Sequence, residues 1–454
     1  MTELSGAYSE KTIFALSTPP GRAALAVVRL SGSACDAVLR AMGVKTLPPP
    51  RMASLRRLRD GQGQPVDEAL ILRFMAPHSF TGEDMVELHL HGGAATVEAV
   101  LAVLAELPDC AAAAGGDFTR RAVMNGKLDL TAAEAIADLV DAEGSAQAQQ
   151  ALRQLSGGLR DMLEGWRDGL KTALAHLEAD LEFADEELPG GLGRAALAGL
   201  PALRDAMQAQ LNEKRGLRLR EGLRIALLGP PNAGKSSLLN NLAGREAAIV
   251  SARAGTTRDV VEVAMVMAGV PVTLVDTAGL REARDDIERE GVRRALQQAE
   301  LADIQLWLQA PDVDTDDDAE LPALPPQGKR YRVMNKIDLV AEPGGKAKNA
   351  AGDFAISAIS GAGVEALLAA LQADVAALYG AQEAPVLTRE RHYSALAEAL
   401  AQIDRALAAA NAGVGLELAA EDLRLAMRSL GRITGAVDVE ALLDIVFADF
   451  CIGK

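Results

Sequence analysis

Nine residues in the middle of the chain, "GPPNAGKSS" from Gly229 to Ser237, restrict the fold more than any other stretch. They match G-x-x-x-x-G-K-[ST] and lie between the apolar run "RIALL" and the helical "SLLNNLAG", a strand–loop–helix context. Glycines let backbone N–H groups turn inward on phosphates, and the helix N-terminus adds positive potential. Lys235 reaches the outer phosphates, and the Ser236 hydroxyl suits Mg²⁺. Such a loop needs a parallel α/β sheet behind it. The flanking runs "LRIALLG", "PVTLVDTAG", "DIQLWLQA", "KRYRVMNKIDL" and "DFAISA" alternate with helical segments as that sheet requires.

The sequence around this segment is of two other kinds. Towards the N-terminus, strand-like "AALAVVRL" and "MVELHLHG" mix with turn clusters "STPPGR" and "LPPPR", predicting an α+β domain. From "LDLTAAEAIADLVDAE" to "NEKRGLRLREG", and again after "APVLTRERHYSALAEALAQIDRALAAA", apolar residues recur at three- and four-residue spacing, predicting long helices. An α/β domain is thus inserted into a helical one, which is feasible because domain ends often lie close together. We place domains at 1–125 (α+β), 126–221 (helical), 222–379 (α/β) and 380–454 (helical); at 454 residues, several cores are expected. The runs "PDVDTDDDAELPALPPQG" and "EPGGKAKNAAG" read as solvated loops without a binding role.

The base is read by "NKID", Asn335 to Asp338. A carboxylate accepts both N–H groups on guanine's Watson–Crick edge, and adenine would leave Asp338 buried and unpaired, so the substrate is GTP. Ser357 and Ala358 of "FAISAISGAG" follow where a backbone loop meets the guanine oxygen. Between these motifs, Thr257 of "AGTTRD" can bring a hydroxyl to Mg²⁺, and in "DTAGL" Asp276 and the Gly279 N–H face the metal and the γ-phosphate. Leu280 stands where a glutamine would orient water in Ras-like proteins, so hydrolysis needs another polar group. Arg281, Glu282, Asp285, Asp286, Glu288 and Glu290 are candidates that spacing does not separate. Asn232 has a carbonyl oxygen suited to a monovalent cation.

A formal charge of −17 excludes a broad nucleic-acid-gripping surface, so any RNA must meet a local patch or a partner. Cys35, Cys110 and Cys451 are far apart and make neither a zinc ribbon nor a disulfide framework. No run is apolar enough to span a bilayer and no secretory pattern opens the chain, so a soluble cytoplasmic protein is expected. His89 and His91 share a strand face without a third ligand and read as ordinary strand histidines. The basic "RRLRD" and "LRLREGLR" read first as linkers or helix faces, with RNA contact as the alternative.

With "GPPNAGKSSLLNNLAGREAAIV", "AGTTRD", "DTAGLREARDDIERE" and a terminal "CIGK" in one chain, the sequence closely resembles the MnmE (TrmE) family of tRNA modification GTPases. The similarity extends to "TPPGRAALAVVRLSG", "SFTGEDMVELHLHGG" and "DFTRRAVMNGKLDLTAAEAIADLVDA". It implies a folate-binding, dimerising N-terminal domain, a helical domain and an inserted Ras-like GTPase domain activated around potassium. It further implies a homodimer that works with the FAD-containing MnmG (GidA), in a heterotetramer or larger complex that holds tRNA largely through the partner. A carboxymethylaminomethyl or aminomethyl group would be placed on C5 of the wobble uridine, its carbon supplied by a tetrahydrofolate derivative, 5-formyl or 5,10-methylene.

Carried over by motif, the nucleotide set is Asn232, Ala233, Gly234, Lys235, Ser236 and Ser237, with Ser251, Ala252, Arg253, Ala254, Gly255, Thr256 and Thr257 of the first switch. Asp276, Thr277, Ala278 and Gly279, then Asn335, Lys336 and Asp338, then Ser357, Ala358 and Ile359 complete it. Ser236 and Thr257 match the Mg²⁺ ligands, and Asn232, Ser251, Arg253 and Thr256 the K⁺ ligands. Glu288 matches the water-orienting glutamate. Arg29, Glu87, Lys127 and Lys454 match the folate contacts, and Lys235, Glu288 and Cys451 are the catalytic candidates. The chain departs from the family at Ala23, Ala24, Ala252, Arg253 and Ile359. A ribosome-assembly GTPase would normally carry a basic RNA-binding domain, and a GTP-gated scaffold would need no folate pocket; both remain alternatives here.

Overall fold

The computed structural model describes residues 11–182, 197–245, 261–276, 300–313, 328–339, 353–379, 385–412, 416–437, 439–447, 450 and 452–453. The chain divides into two compact units, Met1–Ala137 with Gln154–Asp205 and Ala395–Lys454, and Asp138–Arg153 with Ala206–Ser394.

The first unit is built on a six-stranded sheet of β1 (Thr12–Leu16), β2 (Leu25–Ser31), β3 (Ser54–Arg59), β4 (Pro65–Phe74), β5 (Met85–His91) and β6 (Cys110–Ala112). The order is β3-β4-β5-β2-β1-β6, antiparallel except for the parallel β1–β6 pair. Side chains alternate between the faces, so one sequence serves two cores. Phe14, Val28, Leu30 and Leu88 pack on one face against α1 (Cys35–Ala41) and α2 (Ala94–Glu106). Ile13, Ala15 and Met85 pack on the other face with Phe118 of α3 (Asp117–Met124). The chain continues through α4 (Leu130–Asp141), α5 (Ser145–Leu155) and α6 (Gly158–Glu182). On α6, Leu159, Leu163, Trp166, Leu170 and Leu174 form a buried stripe at helical spacing that packs along α12 (Leu416–Thr434). Leu130 and Ala133 of α4 join Leu443 and Phe447 of α13 (Val439–Phe447) and Phe450 in a separate core.

The second unit contains the parallel sheet that the phosphate-loop motif requires. β7 (Leu223–Leu228), β8 (Val261–Met267), β9 (Val270–Asp276), β10 (Ile304–Gln309), β11 (Lys329–Met334) and β12 (Phe354–Ala355) are ordered β12-β11-β10-β7-β9-β8. All neighbours are parallel except β8, which turns onto β9 through Ala268 and Gly269, both at positive φ (50° and 79°). Those angles match the right-handed twist of the hairpin's strands. Leu238 and Leu242 of α9 (Lys235–Arg245), with Leu367 and Leu371 of α10 (Val364–Tyr379), cover the strands' apolar residues. Two shorter ties flank this sheet. The Ala146 N–H, at the start of α5, donates to the Gly269 carbonyl at 2.9 Å, and Gln147 Nε2 donates to the Leu219 and Arg220 carbonyls, each at 3.1 Å. The remaining helices are α7 (Leu200–Asn212), α8 (Arg215–Glu221) and α11 (Glu390–Ala412).

Candidate functional site

Because β7, β9, β10 and β11 are parallel, their carboxyl ends bring distant segments to one edge, where open α/β sheets bind ligands. The turn after β7 carries Asn232 at φ +63°, the buried Ala233, and Lys235 as the first residue of α9. The Lys235 ammonium donates to the carbonyls of Gly229 (2.7 Å) and Pro230 (2.9 Å). Burial lowers its pKa from the ordinary value, and the carboxylate of Asp276 opposes that shift. A desolvated cation against the phosphate loop gains most from an anionic ligand. Ser236 Oγ donates to Asp276 Oδ2 at 2.6 Å, so a hydroxyl and a carboxylate converge as an oxygen-ligated divalent cation requires.

Asn335 joins three motifs through one side chain. It is buried; its Nδ2 donates to the Ala233 carbonyl at 2.8 Å and its Oδ1 accepts the Ala358 N–H at 2.9 Å. The Ser357 N–H donates to the Ala362 carbonyl at 2.9 Å, and Ser357 Oγ accepts the Ser360 N–H at 3.1 Å, closing a tight loop. Asp338 lies in a single 3₁₀ turn, Ile337–Leu339, and is exposed, so its carboxylate is open to a base. Ile359 is 81% exposed and faces solvent beside the loop.

Two side chains that the motifs do not include also hold this loop cluster. Asn241, on the second turn of the helix, donates from Nδ2 to the Ala358 carbonyl at 3.0 Å. Asp312 accepts from the Lys336 ammonium at 2.7 Å, and Lys336 itself has φ +59°. Asp312 belongs to the described start of the run "PDVDTDDDAELPALPPQG", and its ion pair holds Lys336 of the guanine motif. The second asparagine of "LLNNL", facing the base loop, was the available signal for Asn241; an acidic run gives none for Asp312.

Ser251, Ala252, Arg253, Ala254, Gly255, Thr256, Thr257, Thr277, Ala278, Gly279, Glu288, Cys451 and Lys454 lie outside the described residues.

A second cluster occupies the α3 face of the first sheet. Arg29 and Glu87 are cross-strand partners on β2 and β5, and the guanidinium donates twice to Glu87 Oε1, at 3.0 and 3.2 Å. It also lies over the rings of Phe80 (5.7 Å) and Phe118 (5.9 Å). His89 Nε2 is 3.5 Å from Glu87 Oε2, and His91 pairs with Asp67 at 2.7 Å. Among the described residues no group of three His, Cys, Asp or Glu could hold a metal. Lys127 donates to the Pro77 carbonyl at 3.0 Å and packs against Gly82, which lines a cleft of about 360 Å³ with Lys11, Glu83 and Arg121. Lys127 is thus held by the segment linking β4 to β5, not by Arg29 or Glu87. Cys35 and Cys110 are buried, and burial pushes the Cys35 thiol up to about 12, which leaves it unreactive at neutral pH.

The C-terminal residues come to this same unit. Ile452 bridges to Gly115, and Ser17 Oγ, just past the end of β1, donates to the Gly453 carbonyl at 3.1 Å. Gly453 has φ +92°, and a Cβ there would stand 2.5 Å from the Leu16 carbonyl oxygen. The neighbours of Cys451 and Lys454 are therefore fixed against the strand that pairs with β2.

The family model for the "GTP-binding protein TrmE N-terminus" matches residues 12–127, and that for the "MnmE helical domain" matches residues 130–451, a span that brackets the α/β sheet. The tRNA modification GTPase MnmE of Parvibaculum lavamentivorans is 54% identical over 447 residues, covering 98% of this chain and 100% of the relative. The chain belongs to the MnmE (TrmE) family. The corresponding MnmE of Paramagnetospirillum magneticum is 52% identical, and that of Rhodospirillum rubrum 49%, each over 98% of this chain and at least 99% of theirs. Among solved structures, Era of Aquifex aeolicus bound to GDP and AlF4⁻ is 25% identical over 39% of this chain and 66% of that one, with a TM-score of 0.26, too loose a superposition to carry an argument. As an MnmE-family protein, the chain is a GTP hydrolase of tRNA modification with a P-loop G domain inserted in a helical domain. No helix among its described residues is long and apolar enough to cross a membrane.

Proposed function

We propose that this MnmE-family GTPase hydrolyses GTP with the help of potassium and, with an FAD-containing partner of the MnmG kind, builds an aminomethyl-type group on C5 of the tRNA wobble uridine from a tetrahydrofolate carbon. The observation that carries the folate part is the docking of Ile452 and Gly453 onto the sheet that bears Arg29 and Glu87. A pterin offers adjacent N–H donors much as guanine does, and the Glu87 carboxylate is the acceptor of matching shape. Arg29 holds that carboxylate in place through two hydrogen bonds; Lys127 and Lys454 supply charge for an anionic folate tail.

In the nucleotide site, Lys235 exchanges its two carbonyl partners for the outer phosphates. Ser236 and Thr257 would hold Mg²⁺, which neutralises developing charge, with Asp276 fixing the Ser236 hydroxyl. Asn232, Ser251, Arg253 and Thr256 are assigned to potassium, and Glu288 to the attacking water, filling the role that Leu280 cannot. Thr277, Ala278 and Gly279 follow the γ-phosphate, and Asn335, Lys336, Asp338, Ser357, Ala358 and Ile359 surround guanine. The chain works as a cytoplasmic homodimer, with domains at 1–125, 126–221, 222–379 and 380–454.

Removing residues 451–454 tests the folate reading. Wobble-uridine modification, measured by mass spectrometry of tRNA, should disappear while purified protein still hydrolyses GTP; modification that persists would sink the assignment. Equal GTP turnover in sodium and potassium would remove the cation.

A further inference from the structure

Residues 40–59 contain Arg40, Lys45, Arg51, Arg56, Arg57 and Arg59 and no acidic residue, within a chain whose formal charge is −17. The fold sets these cations along one sheet edge, Arg51 beside the end of β4 and Arg59 beside its start. β3 is the outermost strand of its sheet, and the loop before it folds back along it: the Arg59 N–H donates to the Met42 carbonyl at 2.9 Å, and Arg56 Nε to the Thr46 carbonyl at 3.4 Å. A bulge between Leu58 and Arg59 re-aims the last arginine.

Their charge is hardly cancelled. Only Arg57 meets a carboxylate, Glu68 at 2.6 Å, among the described residues. Arg51, Arg56 and Arg59 donate to the carbonyls of His78, Leu55 and Gly63, which orient a guanidinium without neutralising it. Arg40 and Lys45 are exposed. The other basic stretch behaves differently: Arg218 is 3.8 Å from Asp303, and Arg220 is 3.0 Å from Asp138. Charged edge strands also discourage strand-to-strand pairing, but that function does not call for Arg40 and Lys45 outside the strand.

We propose that β3 and the loop beside it form a cationic ridge that binds the phosphate backbone of tRNA directly. A cluster of like charges is self-repulsive, and a polyanion relieves it. Asp60 beside Arg59, and Asp67 and Glu68 opposite on β4, offset part of this charge, while acids beyond about 8–10 Å are screened at physiological salt, so the six cations leave a local positive excess. Resting on the folate assignment above, the ridge stands three strand spacings from Arg29, ~14 Å at about 4.8 Å per strand, so phosphates held there keep the RNA beside the one-carbon site. Phosphate contacts position and do not select sequence, so this grip complements reading by a partner.

The test is fluorescence anisotropy with the full-length chain alone and an unmodified tRNA transcript bearing a wobble uridine, titrated across potassium chloride concentrations. Arg40→Gln/Lys45→Gln/Arg56→Gln should lower the slope of log affinity against log salt by about 2 to 3, since each phosphate left without its cation takes away about 0.7–0.9, and weaken binding about tenfold. Lys171→Gln/Lys214→Gln/Arg405→Gln, exposed cations elsewhere, should keep the wild-type slope, and Arg40→Lys/Lys45→Arg/Arg56→Lys should restore it. Equal slopes in the ridge and control triples, or a wild-type chain that does not bind the transcript even at low salt, would overturn the proposal. A failed folate assignment would show separately, as tRNA binding kept with residues 451–454 removed and modification also kept.

Discussion

A nucleotide-binding motif names the atoms that touch the ligand but not the atoms that hold those atoms still. Ala358 shows the difference: its N–H is held by Asn335 and its carbonyl by Asn241, so the base loop is fixed from the sheet and from the helix after the phosphate loop. Asn241→Ala removes one of these holds. GTP affinity should fall about fivefold, the equivalent of about 1 kcal/mol for one net hydrogen bond. A nucleoside triphosphate lacking the six-position oxygen should lose nothing, because Asn241 acts on guanine only through the loop that meets this oxygen. An equal loss for both nucleotides in competition assays would make Asn241 merely structural. The sequence made Asn335 legible, since its chemistry fixes its spacing, while Asn241 and Asp312 depend on where a helix and a loop come to rest.

Strands and helices were legible in proportion to how regular their burial is. The runs that became β7, β9 and β10 are largely buried on both faces and read as continuous apolar segments, whereas β11 carries Lys329, Arg330 and Arg332 and buries only Val333 fully. β8, antiparallel at the sheet edge, and β3, where three arginines are mixed with two leucines at the other sheet's edge, do not announce themselves that way. The basic "RRLRD", expected in a linker or helix face, is a strand. Closest to function is the packing of the last helix. Gly116, at φ +79°, leaves room for α13: a Cβ there would be 2.8 Å from Phe447 Cδ1 and 3.0 Å from Phe450 Cβ. Phe447 and Phe450 stack edge to face at 4.8 Å, and Phe450 leads directly into the docked tail. Gly116→Ala should therefore cost about 2–4 kcal/mol, combining strained backbone with overpacking, and reduce modification by displacing the tail. Urea unfolding would measure the first effect and wobble-uridine mass spectrometry the second; a variant as stable as wild type would mean that the helix shifts without penalty.

At the scale of the whole molecule, the two binding chemistries divide cleanly between the compact units. Arg29, Glu87, Lys127 and the docked tail belong to one; the phosphate loop, Asp276, Asn335 and Ala358 belong to the other. The α/β pattern that interrupts the helical one set the phosphate loop apart in the sequence, but the second unit also takes in Asp138–Arg153 and Ala206–Glu221, which read there as part of the helical domain; the return of the C-terminus to the first sheet rests on a backbone bridge and one serine hydroxyl, which no periodicity encodes. No described side chain is shared between the two candidate sites, so substitutions in one should leave equilibrium binding at the other additive and undisturbed. Glu87→Gln removes a charged acceptor and should weaken 5-formyl-tetrahydrofolate about tenfold or more, while GTP affinity stays as in wild type. Ser236→Ala should do the converse in the presence of Mg²⁺. Calorimetric titration of both ligands into both variants decides the matter. If Glu87→Gln weakened GTP by the same factor as folate, the sites would be linked at equilibrium, and linkage would oblige each ligand to change the other's affinity reciprocally. If the losses stay separate while either variant stops uridine modification, the coupling lies in a step driven by hydrolysis, which makes GTP turnover a requirement of the reaction cycle and not an aid to folate binding.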